Sequence, residues 1–274
     1  MIDLHIHTNA TPHHAFWEPA ALAAAAAERG LSVIAATDHN TTANVRALQA
    51  AGAEHGIWVV PGVEIDSTYN GKLWHTLVYG VAPDAPALLA LCAEVFTRNA
   101  EDAQRLMQEL PARGWRLEGL ESLGRSPNVA DVATALAKQN ELPNRQPREG
   151  HEEAGMRYIL TEMAGAYRPL GVDAVIQVAH KLKGIALLAH PGRSKGIYAI
   201  PADASDIAAL ATVGLDGLEV YYPSHTPQVE QFLLAQAKQH KLLVSGGSDS
   251  HHPRQPLAEI PVENVGAFLA RLSR

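Results

Sequence analysis

The sequence predicts an α/β fold carrying an inserted helical subdomain, on three observations. Short apolar runs alternate with helix-length, alanine-rich stretches, which is the rhythm of βα units around a mostly parallel sheet. Strand-like runs vanish from Pro86 to Val178, where only helical periodicity persists. The chain has 274 residues, 47% hydrophobic and 19% charged, which suffices for a large α/β core with a smaller insert. These signals assign residues 1–85 and 179–274 to the α/β part and 86–178 to the insert.

Ile2–Ile6 is the first strand. Pro19–Arg29 follows as a helix, opened by a proline in its first turn and closed by Gly30. Leu31–Ala36 is a second strand and Thr41–His55 a second helix, with Asn40, Thr41 or Thr42 available as its cap. Ile57–Asp66 and Trp74–Tyr79 flank Asn70-Gly71, a strong hairpin signal. A two-residue loop there pairs Tyr69 with Lys72, sets Asp66 opposite His75 and leaves Glu64 diagonal to His75 on the same face. In the insert, Leu88–Leu110, Val129–Gln139 and Arg157–Ala166 have helical spacing, separated by a polar stretch near Leu142–Glu153. The βα rhythm resumes with helix Val172–Leu182, strand Ile185–Ala189, helix Asp203–Val213 and strand Leu218–Tyr221. Helix Pro227–Gln239, strand Leu242–Ser245 and a last helix near Val262–Arg271 complete it.

Charge narrows the function classes. Lys and Arg number 22 against 29 Asp and Glu, a formal charge of −7 with no basic run, which argues against broad binding to duplex nucleic acid or anionic membrane. No segment is long and apolar enough to cross a bilayer. Cys92 stands alone, so neither an intrachain disulfide nor a zinc–thiolate cluster can form, and no signal-peptide pattern follows Met1; a cytoplasmic location is expected.

Fourteen histidines in such a chain need a reason. Asp3, His5 and His7 alternate with Leu4 and Ile6, so on a strand the three polar side chains share one face. A solvated edge strand would account for that pattern alone. The later positions favour another reading: His39 ends the second strand, Glu64 and His75 lie on the hairpin, His190 ends the strand from Ile185, and Asp249 and His251 follow the strand from Leu242. Functional groups of α/β folds collect past the carboxyl ends of the strands. Imidazoles sharing carboxylates, without thiolate, suit Mn²⁺, Zn²⁺ or Fe²⁺ better than Mg²⁺ or Ca²⁺. So many candidate ligands predict more than one ion, and closely spaced metals suit phosphoester hydrolysis.

With these residues placed, the chain resembles the PHP family, the polymerase and histidinol phosphatase superfamily of metal-dependent phosphoesterases. The resemblance is carried by Asp3-Leu-His5-Ile-His7-Thr8, Thr37-Asp38-His39, Gly62-Val-Glu64 and His75 in the first part of the chain. Ala189-His190-Pro-Gly-Arg193, Gly217-Leu-Glu219-Val-Tyr-Tyr-Pro-Ser-His225 and Gly246-Gly-Ser-Asp249-Ser-His251 carry it in the second. It implies a distorted (β/α)7 barrel with a metal cluster at its carboxyl-end mouth. It points to the branch with a helical insert, which includes 3′,5′-nucleotide bisphosphatases and 5′-to-3′ exoribonucleases.

The resemblance further implies two or three divalent ions. His5, His7 and Asp249 would bind the first, Glu64 would bridge to a second completed by His75 and His190, and His39 and His251 would hold a third. The branch's Ser-Asp-Gly turn, whose acid binds that third metal, is replaced by Asn9-Ala-Thr11-Pro12-His13-His14. His13 is the expected substitute, with His14 second, and imidazole in place of carboxylate favours a softer ion. Arg193 is expected to grip the substrate phosphate through two parallel hydrogen bonds, on a turn forced by Pro191-Gly192. His225 is expected to protonate the leaving alkoxide or to hold a phosphate oxygen, and Asp38 to fix the tautomer of a ligand imidazole. Lys195, Arg125, Arg145 and Arg148 are candidates for a second phosphate, although solvated surface charge accounts for all four. Tyr69, Trp74 and Tyr222 are candidates for stacking on a base, although packing accounts for them equally.

The expected activity is hydrolysis of a small phosphorylated metabolite by metal-activated hydroxide, with a nucleoside 3′,5′-bisphosphate or short oligonucleotide as first choice. Two other readings compete. One is an amidohydrolase-type C–N hydrolase, which would need the cluster but not Arg193; the other is a non-catalytic metal- or nucleotide-binding module.

Overall fold

The computed structural model describes residues 1–11, 14–194 and 200–272. In chain order these form β1 (Ile2–Ile6), α1 (Pro19–Glu28), β2 (Val33–Ala36), α2 (Val45–Glu54), β3 (Trp58–Tyr69), β4 (Lys72–Tyr79) and α3 (Pro86–Ala112). There follow α4 (Val129–Gln139), α5 (His151–Glu162), β5 (Leu170–Gly171), α6 (Val172–Lys181), β6 (Ile185–Leu188) and α7 (Ala204–Thr212). The chain ends with β7 (Gly217–Tyr221), α8 (Pro227–His240), β8 (Leu243–Gly246) and α9 (Gly266–Leu272).

Several boundaries differ from the sequence reading, and those of α2, α5 and the hairpin have a clear local reason. Helix α2 starts at Val45, not Thr41, because the Thr42 hydroxyl is spent on the carbonyl of Pro83 at 2.7 Å and its own carbonyl accepts the Val45 N–H in a turn. Helix α5 starts at His151, not Arg157, because the Glu153 carboxylate folds back to accept the Gly150 N–H at 3.1 Å. The hairpin strands run on to Tyr69 and from Lys72, because Asn70 and Gly71 both take positive φ, 49° and 75°, and make the whole turn. The register is the one the two-residue loop dictates, with Tyr69 opposite Lys72 and Asp66 opposite His75.

The sheet has eight strands in the order β1-β2-β3-β4-β6-β7-β8, with the short β5 paired to β3 off this path. Neighbours along it are parallel except β4, which runs antiparallel to β3 and β6. The sheet is not closed, which departs from the expected (β/α)7 barrel: no ladder joins β8 to β1. The backbone beyond β8 pairs with β1 instead. Asp249 N–H donates to His5 O at 2.7 Å, His7 N–H to Ser250 O at 2.9 Å, and Ile2 and Ile260 exchange two further bonds. The fully buried Asp3 carboxylate accepts the N–H groups of Ser248 and Ala258 at 2.9 and 2.8 Å, and burial pushes its pKa up to about 6. The loop bearing Asp249 and His251 is thereby stitched to the strand bearing His5.

One core gathers Ile2, Leu4, Val33, Ala35, Val60, Leu77, Tyr79, Leu187 and Phe268. Within it the Tyr79 hydroxyl donates to Leu4 O at 2.6 Å, so the one polar tip in this apolar volume is satisfied. A second core packs Leu22, Ala23 and Ala26 of α1 and Leu48 of α2 against Ile34, Ala36 and Val59. Leu4 and Ile6 fall in different cores because the β1–β2 register shifts between Asp3 and Ile6. The Asp3, His5 and His7 side chains are fully buried, so the solvated-edge explanation for their alternation does not hold. Cys92 is a buried hydrophobe whose thiol is pushed up to about 11 by burial.

The chain divides into two units, one of residues Met1–Cys92, Gly171–Arg193 and Pro201–Arg274, the other of Ala93–Leu170 and Ser194–Ile200. In the second unit α4 and α5 approach closely at Gly155, where any Cβ would strike the Ala133 carbonyl. Trp115 Nε1 donates to the Tyr158 hydroxyl at 2.8 Å, and the buried Asp102 carboxylate accepts Arg168 N–H at 2.6 Å. Arg125 is engaged by Asp131 at 2.6 Å and Arg145 by the carbonyls of Ala137 and Glu149, so both are structural; Lys195 lies outside the described residues. Among the described residues no helix is long and apolar enough to cross a membrane.

Gly247 shows how tightly the loop after β8 lies on β1, since a Cβ there would collide with the backbone N and the Cβ of His5. Gly247→Ala is expected to lower unfolding free energy in urea by about 1–3 kcal/mol, the usual cost of overpacking. Gly266→Ala, where an added Cβ meets open space, is the matched control and is expected to leave stability unchanged or slightly raised.

Candidate metal centre

Glu64 lies on β3 and is fully buried. Its Oε2 is 3.3 Å from His5 Nε2, 3.2 Å from His7 Nε2 and 3.3 Å from His39 Nδ1, and its Oε1 is 2.9 Å from His75 Nδ1 and 3.2 Å from His190 Nε2. Five imidazoles from β1, β4 and the ends of β2 and β6 thus converge on one carboxylate. Asp249 enters the same group from the loop after β8, with Oδ1 3.5 Å from His5 Nε2 and 3.1 Å from His7 Nε2. Local backbone makes the turns. Asn40, His190 and Asp249, each just past a strand, take left-handed φ values of 54°, 28° and 54°, a strain that collects at functional sites.

The donor atoms fit divalent cations. His5, His7, Glu64 and Asp249 form one group of potential ligands, and the Nε2 atoms of His5 and His7 face each other at 3.2 Å. Two ligand atoms held about 2.1 Å from one ion lie about 3.0–3.4 Å apart at adjacent corners of an octahedron or tetrahedron. Two unprotonated lone pairs would repel at that separation, so the pair needs a proton or a cation between them. His39, Glu64 and His75 form a second group, and His7, His39 and His251 a third. His190 meets Glu64 Oε1 beside the second group. Among the described residues, the side-chain atoms His7 Nδ1, His39 Nδ1 and Glu64 Oε2 are buried without a hydrogen bond, and burying such groups is costly unless a ligand satisfies them.

Electrostatics describe a centre that collects positive charge. Burial opposes ionisation of Glu64, but the neighbouring charges of His75, His39 and His5 outweigh it and hold the carboxyl well below its usual range. Asp249 behaves alike through His5 and His7. Burial also opposes protonation of His5, yet the Glu219, Glu64 and Asp249 carboxylates raise it well above the ordinary value. The neighbouring carboxylates of Asp249 and Glu64 likewise lift His7, against burial, to about 9. His251 is pushed down to about 3 by burial and by the charge on His7, and its Nδ1–H donates to Asp249 O at 2.8 Å, so its Nε2 is a free lone pair.

Other expected site residues fall out differently. Arg193 lies 3.7 Å from Asp249 Oδ2, at the edge of the cluster. Its turn depends on Gly192, where a Cβ would strike Val229 and His225. His225 is corrected: Nδ1 donates to Val220 O at 2.7 Å and Nε2 accepts the Gly192 N–H at 3.0 Å, so neither nitrogen is left for substrate or proton transfer. Its ring holds the Arg193 turn instead. Asp38 is also corrected: its oxygens accept the N–H and hydroxyl of Thr8 at 2.5 and 2.6 Å, bracing the bend after β1, and it bonds no imidazole among the described residues. His13 lies outside the described residues. The His14 ring lies 5.1 Å from that of His39 and 4.7 Å from that of His251, beside the third group. Trp74 is buried with Nε1 on the Tyr69 carbonyl, while the Tyr222 hydroxyl donates to Asp249 Oδ2 at 3.0 Å.

Sequence reasoning missed three participants. Asp66 Oδ1 faces His39 Nδ1 at 3.4 Å and His75 Nε2 at 3.5 Å, while its Oδ2 accepts from Asn40 Nδ2 at 2.8 Å. Glu219 touches His5 from a strand that otherwise reads as apolar core, and a carboxylate between Leu218 and Val220 was the available signal. Phe16 is 53% exposed, although its N–H is fixed to the His251 carbonyl at 2.8 Å and its ring lies 5.3 Å from that of His252.

Glu64→Gln removes the charge that five imidazoles of the centre share. The unaltered chain is expected to gain about 2.7 kcal/mol of stability at a divalent-ion concentration 100-fold above its dissociation constant. In the variant that gain in melting temperature is expected to disappear, and metal content by elemental analysis to fall by at least one ion per chain.

Residues 3–143 match the PHP domain. The chain is 29% identical over 259 residues to phosphoribosyl 1,2-cyclic phosphate 1,2-diphosphodiesterase from Eggerthella lenta, covering 91% of this chain and 93% of that one. It is 26% identical over 268 residues to the 5′-3′ exoribonuclease Rnm of Escherichia coli, covering 92% and 85%. A crystal structure from Bifidobacterium adolescentis, named as a metal-dependent phosphoesterase, superposes with TM-score 0.71 at 23% identity over 98% of this chain and 96% of its own. An amidohydrolase from Chromobacterium violaceum, solved with sulfate and no metal, gives 0.67 at 24% identity over the same shares, so both share the fold. The matched stretch holds β1 to β4, on which His5, His7, Glu64 and His75 are mounted, and the chain belongs to the PHP domain family.

Proposed function

We propose that this chain is a metal-dependent hydrolase of phosphate esters, acting on a small ribose-phosphate metabolite, with a nucleoside 3′,5′-bisphosphate or a short oligonucleotide as first choice. The observation that carries the reading is the Glu64 carboxylate shared by five imidazoles, with the Arg193 guanidinium beside the same cluster. The two relatives whose names give a substrate act on a phosphoribosyl cyclic phosphate and on RNA, both ribose phosphates.

In this reading His5, His7, Glu64 and Asp249 hold one divalent ion. His75 and His190 hold a second with Glu64, His39 lying beside it, and His39, His251 and His7 hold a third with His14 at its margin. Bound divalent cations supply the Lewis acidity that deprotonates water near neutral pH and offsets phosphoryl charge. Arg193 offers two parallel N–H donors to non-bridging phosphate oxygens, and Asp249 keeps the guanidinium at the edge of the cluster. Tyr222 donates to Asp249 Oδ2 and so leaves Oδ1 to the two imidazoles of β1. Phe16 and His252 offer an aromatic face for a base beside the third group.

The test is phosphate release, with Mn²⁺ or Zn²⁺, from nucleoside mono- and 3′,5′-bisphosphates, short oligoribonucleotides and phosphoribosyl 1,2-cyclic phosphate. Turnover of at least one is expected; none on any, with metal bound, overturns the reading. Arg193→Ala separates phosphate from C–N chemistry. A charge-assisted contact contributes about 1.5–3 kcal/mol, so kcat/KM is expected to fall about 10- to 150-fold. An unchanged value would favour the amidohydrolase-type alternative.

A further inference from the structure

We infer that Glu219 is a positioning residue that decides which nitrogen His5 presents to the metal centre, while fixing the backbone that presents His190. Glu219 sits on β7, fully buried between the core residues Leu218 and Val220. Its two oxygens lie 3.0 and 3.1 Å from His5 Nδ1, and Oε2 also accepts the His190 N–H at 2.7 Å. Both carboxylate oxygens face Nδ1 at hydrogen-bond distance, so the Nδ1–H of His5 donates to Glu219. Nε2 is then the nitrogen left to a cation, and it faces Glu64 at 3.3 Å, Asp249 at 3.5 Å and His7 at 3.2 Å. The same carboxylate holds His190 at φ 28°, a conformation few residues adopt, with its Nε2 3.2 Å from Glu64 Oε1.

One group thereby couples an imidazole on the first strand to one just past β6. Asp38, the acid next to a ligand-like histidine in sequence, is occupied by Thr8 and has no such contact. The inference rests on the reading that His5 and His190 hold metal. Loss of an outer hydrogen-bond partner of a ligand histidine characteristically weakens metal binding about 10- to 100-fold.

Glu219→Gln is the discriminating change because it keeps size and shape. The amide oxygen can still accept the His190 N–H, but the amide nitrogen can only donate to His5 Nδ1, which drives the His5 proton to Nε2. The expected result is a metal-free protein that melts near the unaltered one, a Zn²⁺-loaded protein whose His5 Nδ1–H signal in ¹⁵N NMR is lost, and Zn²⁺ affinity by chelator competition lowered about 10- to 100-fold. In a His5→Ala background the same substitution is expected to cost little further affinity. An unchanged Nδ1–H signal and affinity, or an equal loss with and without His5, overturns the inference. If Glu219→Gln fails to fold, Glu219→Asp takes its place; its carboxylate, one methylene shorter, withdraws from Nδ1, and a Zn²⁺ affinity that stays unchanged there overturns the inference as well. An unaltered chain that takes up no metal overturns both this inference and the function above. One that binds metal and cleaves no phosphate ester overturns only the function.

Discussion

A carboxylate taken wholly out of water is tolerated only where other groups repay its lost hydration, and Glu64 imposes that condition on the rest of the fold. Five imidazoles answer it, delivered by β1, β4 and the segments just past β1, β2 and β6. Each of those strands is therefore fixed by its own ladder and also by a polar centre that none could complete alone. The left-handed residues Asn40, His190 and Asp249 lie in the connections that must bend to reach this centre. Strain there follows from the geometry of convergence and is held by hydrogen bonds such as that from His190 N–H to Glu219.

Much of this was legible in the sequence because it depends on spacing. Alternation set Asp3, His5 and His7 apart from their apolar neighbours, Asn70-Gly71 set the hairpin register, and strand-terminal placement singled out His39, His190, Asp249 and His251. What depended on partners across strands was not legible. Asp38 adjoins His39 in the chain yet braces Thr8, while Glu219, far from any histidine in its strand, grips His5. His225 has the residue type of a proton donor, but two backbone groups consume both of its nitrogens. A sequence gives a side chain's face; it does not give the atom that waits on the far side.

The same limit applied to the sheet. The seven strands of the sheet's main path were legible from the βα rhythm and the hairpin signal, whereas the short β5, the order of the strands and the way β1 meets the segment after β8 were not. That meeting is made by irregular backbone and by the Asp3 carboxylate, with Gly247 allowing the close approach. None of these has a periodicity to detect. The arginines of the second unit show the converse. Arg125 and Arg145 looked like candidate phosphate ligands by charge alone, and local carboxylates and carbonyls absorb them.

The seam between β1 and the loop after β8 also sets an order of events during synthesis. Asp249 follows His5, and His251 follows His7, by 244 residues in the chain. At about 5–20 residues per second, the first histidines wait about 10–50 s for the acid that shares their centre. Until then the imidazoles of the nascent chain are open to any soft cation that passes. The centre of this reading would therefore load only once the chain past β8 is made, with β8 and its loop acting as the clasp.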